Sequence, residues 1–121
     1  MRVLTLATFL PLLFLAGCVI DVNAPGDNSE SDWQARQRRN LHAIEHMQLG
    51  KTRASVESEL GDPDFTDSFK RNGSTFVVLY YRTRHMHDDG RTTKDETTPL
   101  VFADGSLVGW GESAIDHATA N

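Results

Sequence analysis

The chain has 121 residues, with 17 acidic and 12 basic side chains and a formal net charge of −5. That balance, with no basic stripe along the chain, argues against nucleic acid as a partner. The length suits one folded domain, and a single cysteine leaves no internal disulfide to form.

The chain opens with one positive charge, Arg2, and an apolar run from Val3 to Leu15 broken only by Thr5, Thr8 and Pro11. Thirteen residues fall short of the roughly 20 that a membrane-spanning helix needs, so the run reads as a signal peptide, residues 1–17. It ends Leu15-Ala16-Gly17-Cys18. This tetrapeptide resembles the lipobox of bacterial lipoproteins. The resemblance implies that Cys18 is diacylated on sulfur, becomes the first mature residue and is acylated again on its amine. Each buried CH₂ contributes about 0.8 kcal/mol, so three chains anchor a protein durably where one does not. In the sorting rule of such lipoproteins an aspartate after the cysteine favours the inner membrane. Val19 stands there, which implies the outer membrane and a domain facing the periplasm. A lipidated Cys18 also leaves no cysteine nucleophile in the mature chain.

The mature chain, Cys18–Asn121, would hold 104 residues, with 11 basic against 17 acidic side chains. Residues 18–31 read as a lipidated cysteine and tether, turn-rich and polar after Val22. Asp32–Met47 reads as a first helix, capped by Ser31 or Asp32, with Leu41, Ile44, Met47 and Trp33 offering an apolar stripe. Arg36, Arg38 and Arg39 lie off that stripe. Charge runs mostly solvate a helix face, and the alternative is contact with lipid headgroups or an acidic partner.

Leu49–Pro63 carries the densest local information. Thr52 is a natural N-cap, Val56 and Leu60 share a face, Gly61 suits the left-handed residue after a helix, and Pro63 stops continuation. The predicted helix of about two turns is too short to stand alone and must pack. Residues 62–73 read as a connection ending in an Asn72-Gly73 turn. Phe76–Tyr81 is strongly β in composition and apolar on both faces, so it needs cover on both. Helices would cover one face and a partner protein part of the other. His85–Glu96 reads as a long polar hairpin loop and Thr97–Phe102 as a second strand, paired only after Pro99. Asp104-Gly105 marks a tight turn, and Leu107–Gly111 a third strand with Trp110 on the side opposite Leu107. Residues 113–121 read as a loose tail. The expected domain, residues 32–112, is α+β: two helices packed on a three-stranded antiparallel meander.

The lipobox, that element order, and the motif Leu49-Gly50-Lys51-Thr52 with Val56 and Leu60-Gly61-Asp62-Pro63 resemble the BamE family. These are small outer-membrane lipoproteins that are accessory subunits of the β-barrel assembly machinery. The segments Asp62–Phe69, Thr97–Phe102 and Leu107–Gly111 resemble still more closely a set of envelope lipoproteins of uncharacterised function with the same core. The resemblance implies an ααβββ fold and the β-barrel assembly machinery as the partner class. The expectation for the chain is a non-enzymatic interaction module without a cofactor, with another envelope protein as partner. One departure is Lys51, where the family usually has an apolar residue.

Two constellations could carry chemistry. His42-Ala43-Ile44-Glu45-His46 matches H-x-x-E-H, in which two histidines one turn apart hold zinc and the glutamate is the base. The sequence places no third ligand, so a zinc hydrolase is the alternative to a non-enzymatic module. His85-Met86-His87-Asp88-Asp89 could chelate a metal if His85 and His87 shared a strand face, but a polar loop is the simpler reading. No residue is assigned a catalytic, metal-binding or cofactor-binding role.

Overall fold

The computed structural model describes residues 31–120. Helix α1 runs Asp32–Glu45, α2 Arg53–Leu60 and α3 Glu112–Thr119; the strands are β1 Phe65–Arg71, β2 Ser74–Arg82, β3 Thr97–Ala103 and β4 Ser106–Trp110. The strands form one antiparallel sheet in the order β1-β2-β3-β4. This is a mixed α+β fold with three helices and a four-stranded sheet.

Local chemistry sets the helix ends as expected. Gln34 Oε1 accepts from both the Ser31 N–H (3.0 Å) and the Ser31 hydroxyl (2.9 Å) at the start of α1. Thr52 Oγ1 accepts from the Ser55 N–H at 3.1 Å, and Gly61 closes α2 at φ +79°. The α1 stripe departs from expectation at two positions. Ile44 and Met47 are buried, but Trp33 and Leu41 are exposed, and Asn40 takes the inward place beside Ile44. Positions 33, 37, 40, 44 and 47 align on one face, and Leu41 sits about 100° around from Asn40. The buried Asn40 amide is satisfied by the Arg82 carbonyl at 3.0 Å.

The sheet has two apolar faces. Leu79, Tyr81, Leu100, Phe102 and Leu107 form one core with Ile44 of α1, Met47 just beyond it and Val56 of α2. Val78, Tyr80 and Val101 form a second core with Ala118 of α3. The doubly apolar strand is thus covered on both sides by its own chain. The segment expected to be a loose tail is the helix that supplies the second cover. Its Ala114, Ile115 and Ala118 face the sheet, and Gly109 leaves room for the close approach of Ala114.

Three strand expectations need correction. The sheet has four strands rather than three, because residues 65–71 form β1, a full partner to β2 through the Asn72-Gly73 turn. The β3 ladder begins at Thr97, with Pro99 paired opposite Tyr80. Pro99 is tolerated because its carbonyl points towards the end of β4, accepting from the Gly111 N–H at 2.9 Å, so its missing donor points there too. Finally, Trp110 packs on the same core as Leu107. The register jumps between Val101↔Gly109 and Phe102↔Leu107, leaving Val108 as an unpaired bulge residue. One extra residue restores Trp110 to the face of Leu107.

Candidate functional site

The long connection between β2 and β3 is organised by a buried ion pair. Arg82 ends β2, and Glu96 ends a single 3-10 turn, Lys94–Glu96, just before β3. Arg82 Nη2 lies 3.2 Å from Glu96 Oε2, and the glutamate side chain has no exposed surface. The guanidinium also donates to Thr92 Oγ1 (2.9 Å), to Gln37 Oε1 (3.4 Å) and to His85 Nδ1 (2.8 Å). Its flat face lies 4.6 Å from the Trp33 ring. Helix α1 is therefore joined to the loop through one cation.

Glu96 is held by donors on every side. Its Oε2 accepts from the Met86 N–H at 3.0 Å, and Oε1 from the Thr93 N–H at 3.2 Å and hydroxyl at 3.1 Å. The Met86 N–H is the largest influence, and with Thr93 and Arg82 it outweighs burial, drawing the carboxyl down to about 2. A carboxylate that weak in basicity is a poor proton acceptor near neutrality. Its role is to hold negative charge and close the loop; the Glu96 carbonyl also accepts from the N–H groups of Thr83 (3.0 Å) and Arg84 (3.2 Å).

His85 stands beside this pair. Because Nδ1 accepts from Arg82, the ring proton belongs on Nε2, which lies 2.6 Å from Asp88 Oδ1. The His85 ring packs against Trp33 at a centroid distance of 4.8 Å. Trp33, Arg82, His85, His87, Arg91 and Thr92 are among the residues that line a cavity of about 360 Å³ here. His87 turns instead to Asp95 at 2.8 Å, whose hydrogen bond raises the histidine above its ordinary value. The alternate-residue histidines of the loop thus go to different carboxylates, although both line the cavity. Asp89 caps the loop by accepting from the Arg91 N–H at 2.9 Å.

The His42/Glu45/His46 triplet sits at the exposed C-terminal end of α1. The two imidazoles stack at 4.4 Å, and His46 Nδ1 is hydrogen bonded to the His42 carbonyl at 2.8 Å. Among the described residues, no group of three or more His, Cys, Asp or Glu side chains is placed to hold a metal ion. The arginine trio lines, with His42, Ala43 and Leu60, a groove of about 500 Å³ between α1 and α2. Arg36 is committed there, to the Asp62 carbonyl at 3.3 Å and to Asp64 at 3.1 Å. Lys51 pairs with Glu59 across α2.

Sequence reasoning found the His85–Asp89 loop but missed Arg82, Glu96 and Trp33. The available signal was two opposite charges flanking a long loop, each at the edge of an apolar strand. Cys18 lies outside the described residues, as do the signal peptide and nearly all of the proposed tether. No helix of the described residues is long and apolar enough to cross a membrane.

A family model described as a protein of unknown function (DUF3192) matches residues 16–117, taking in Cys18 together with all three helices but for the end of α3, and the whole sheet. Neither a curated protein nor a solved structure matches the chain. With most of its length covered by that model, the chain belongs to the DUF3192 family.

Proposed function

We propose that this chain is a lipid-anchored outer-membrane lipoprotein whose folded domain is a non-enzymatic interaction module for another envelope protein. The observation that carries the reading is Cys18, the single cysteine, placed directly after Leu15-Ala16-Gly17 at the end of an apolar run. The residues described from Ser31 onward carry two hydrophobic cores, one on each face of the sheet. A tether between them would raise the effective concentration of the domain for a membrane-bound partner.

The β-barrel assembly machinery is the partner class in this proposal. In its favour, α1 and α2 pack on a meander of β2, β3 and β4, the arrangement expected of a BamE-like core. In that comparison β1 and α3 are additions. The first extends the sheet and the second covers its other face, so a partner would meet the helices, the loop or the sheet edges rather than an open apolar face.

Mass spectrometry of the mature protein tests the anchor: a triacylated Cys18 is the expected mass, and an unmodified thiol overturns the reading. In-cell crosslinking of the lipidated protein tests the module. Capture of barrel-assembly components supports it, and a clean monomer counts against it.

The arginine-lined groove favours a second reading, a domain that meets lipid headgroups. Vesicle binding that persists without the Cys18 acyl chains and weakens with salt would favour it over tethering.

A further inference from the structure

The sheet ends at β1, and no strand of the described residues lies beyond it. We propose that a second copy of this chain pairs there, β1 against β1, about a two-fold axis through Phe69.

The hairpin turn fixes which backbone groups point outward. Asn72 and Gly73 have φ +48° and +80°, and they are the only residues between the paired Arg71 and Ser74. In such a two-residue turn the flanking residues form a hydrogen-bonded pair. By alternation, Phe65, Asp67, Phe69 and Arg71 bond inward to β2. The N–H and C=O groups of Thr66, Ser68 and Lys70 therefore point away from the sheet, where an added strand would bond.

A two-fold antiparallel pairing keeps like faces together, so only a few registers exist. Asp67 or Lys70 on the axis opposes like charges. Ser68 on the axis sets Asp67 against Phe69. Phe69 on the axis sets Asp67 against Arg71 of the second copy, twice, with the Phe69 rings between the two ion pairs and Ser68 facing Lys70. This register is self-complementary in charge, which is how cross-strand pairs select an alignment. Arg71 Nη1 donates to the Thr119 carbonyl within the chain, so pairing with Asp67 of the second copy would add to that bond or replace it. Asp67 is exposed, and its bonds to Lys94 (2.7 Å) and Tyr80 (2.9 Å) both use Oδ2, leaving Oδ1 as an acceptor. Phe69 is half-buried and already stacked on Phe76 at 5.2 Å, so the aromatic row would continue across the axis. Charges on an edge strand commonly prevent pairing; here their order favours one partner. The inference is independent of the lipid anchor.

Cysteine crosslinking of the full chain, purified in detergent and treated with a mild oxidant, tests it. Positions 69 would be a non-hydrogen-bonded pair about 4.5 Å apart at Cα, within the range of roughly 4.4–6.8 Å that a disulfide spans. Phe69→Cys should give a covalent dimer that the parent chain, with Cys18 alone, does not. Adding Asp67→Arg or Arg71→Asp should cut its yield at least tenfold, and the two together should restore it. Because losing Phe69 could unfold the hairpin, co-expressed Ser68→Cys and Lys70→Cys chains should crosslink to each other with Phe69 intact. Absence of both crosslinks in chains with parental circular dichroism overturns the proposal, as does a dimer indifferent to Asp67→Arg.

Discussion

Arg82 and Glu96 meet at 3.2 Å from the two ends of the connection between β2 and β3, with side chains 8% and 0% exposed. The pair holds α1, the loop and the start of β3 together through Gln37, His85 and Thr92. Removing one member leaves the other charge buried without its partner. Removing both leaves neither. Thermal melts should therefore rank Arg82→Met and Glu96→Leu each below the double variant. Additive losses in the double would show that the two residues act separately.

The same carboxylate gives a pH dependence with a definite sign. Glu96 has a folded value of about 2 against an ordinary 4.5. A depressed carboxylate contributes fully above its ordinary value, and the contribution is lost as pH falls towards the folded one. Asp67 is shifted the same way by its hydrogen bonds to Lys94 and Tyr80. The melting temperature should hold near pH 6 and fall between about pH 4.5 and 2. Glu96→Gln should start lower and fall less over that window; parallel curves would remove Glu96 as the cause.

Helix α3 depends on a glycine opposite it. A Cβ added at Gly109 would lie 3.0 Å from the Ala114 Cβ, closer than ordinary contact. Gly109→Ala should destabilise the domain by about 1–3 kcal/mol, the usual cost of overpacking. Denaturant titration measures it. Hydrogen exchange should show the loss concentrated in α3 and β4.

At the start of α2, Thr52→Ala removes the acceptor for the Ser55 N–H. A loss of about 1 kcal/mol is expected, while Thr52→Ser keeps the hydroxyl and stays near the parent. Denaturant midpoints of the two variants make the comparison.

The histidine pair of α1 gives a further test. His42→Ala with His46→Ala removes two exposed, stacked rings. Zinc content of the purified protein, measured by elemental analysis, should not change. A stoichiometric zinc lost in the variant would revive the hydrolase reading.

Helix α2 was legible residue by residue, because a capping threonine, a glycine at positive φ and a stop proline act on their own neighbours. The apolar β2 and β3 were equally plain from composition. Strand β1 was not: Phe65 and Phe69 are its only apolar residues, and it is a strand because β2 offers it a ladder. Helix α3 has eight residues and would not persist alone; it forms because the second face of β2 and β3 has to be buried.

By itself, the sequence determined the apolar segment ending at Cys18, the α+β class, the ends of α2 and the polar character of the loop. These follow from hydrophobic pattern and from groups a few residues apart. Tertiary structure alone decided the fourth strand, the cover on the second sheet face, the side on which Trp110 lies and the pairing of Arg82 with Glu96. Each of those depends on what a residue meets across the sheet or through the core. Such a meeting is set by burial and register, which no local pattern encodes.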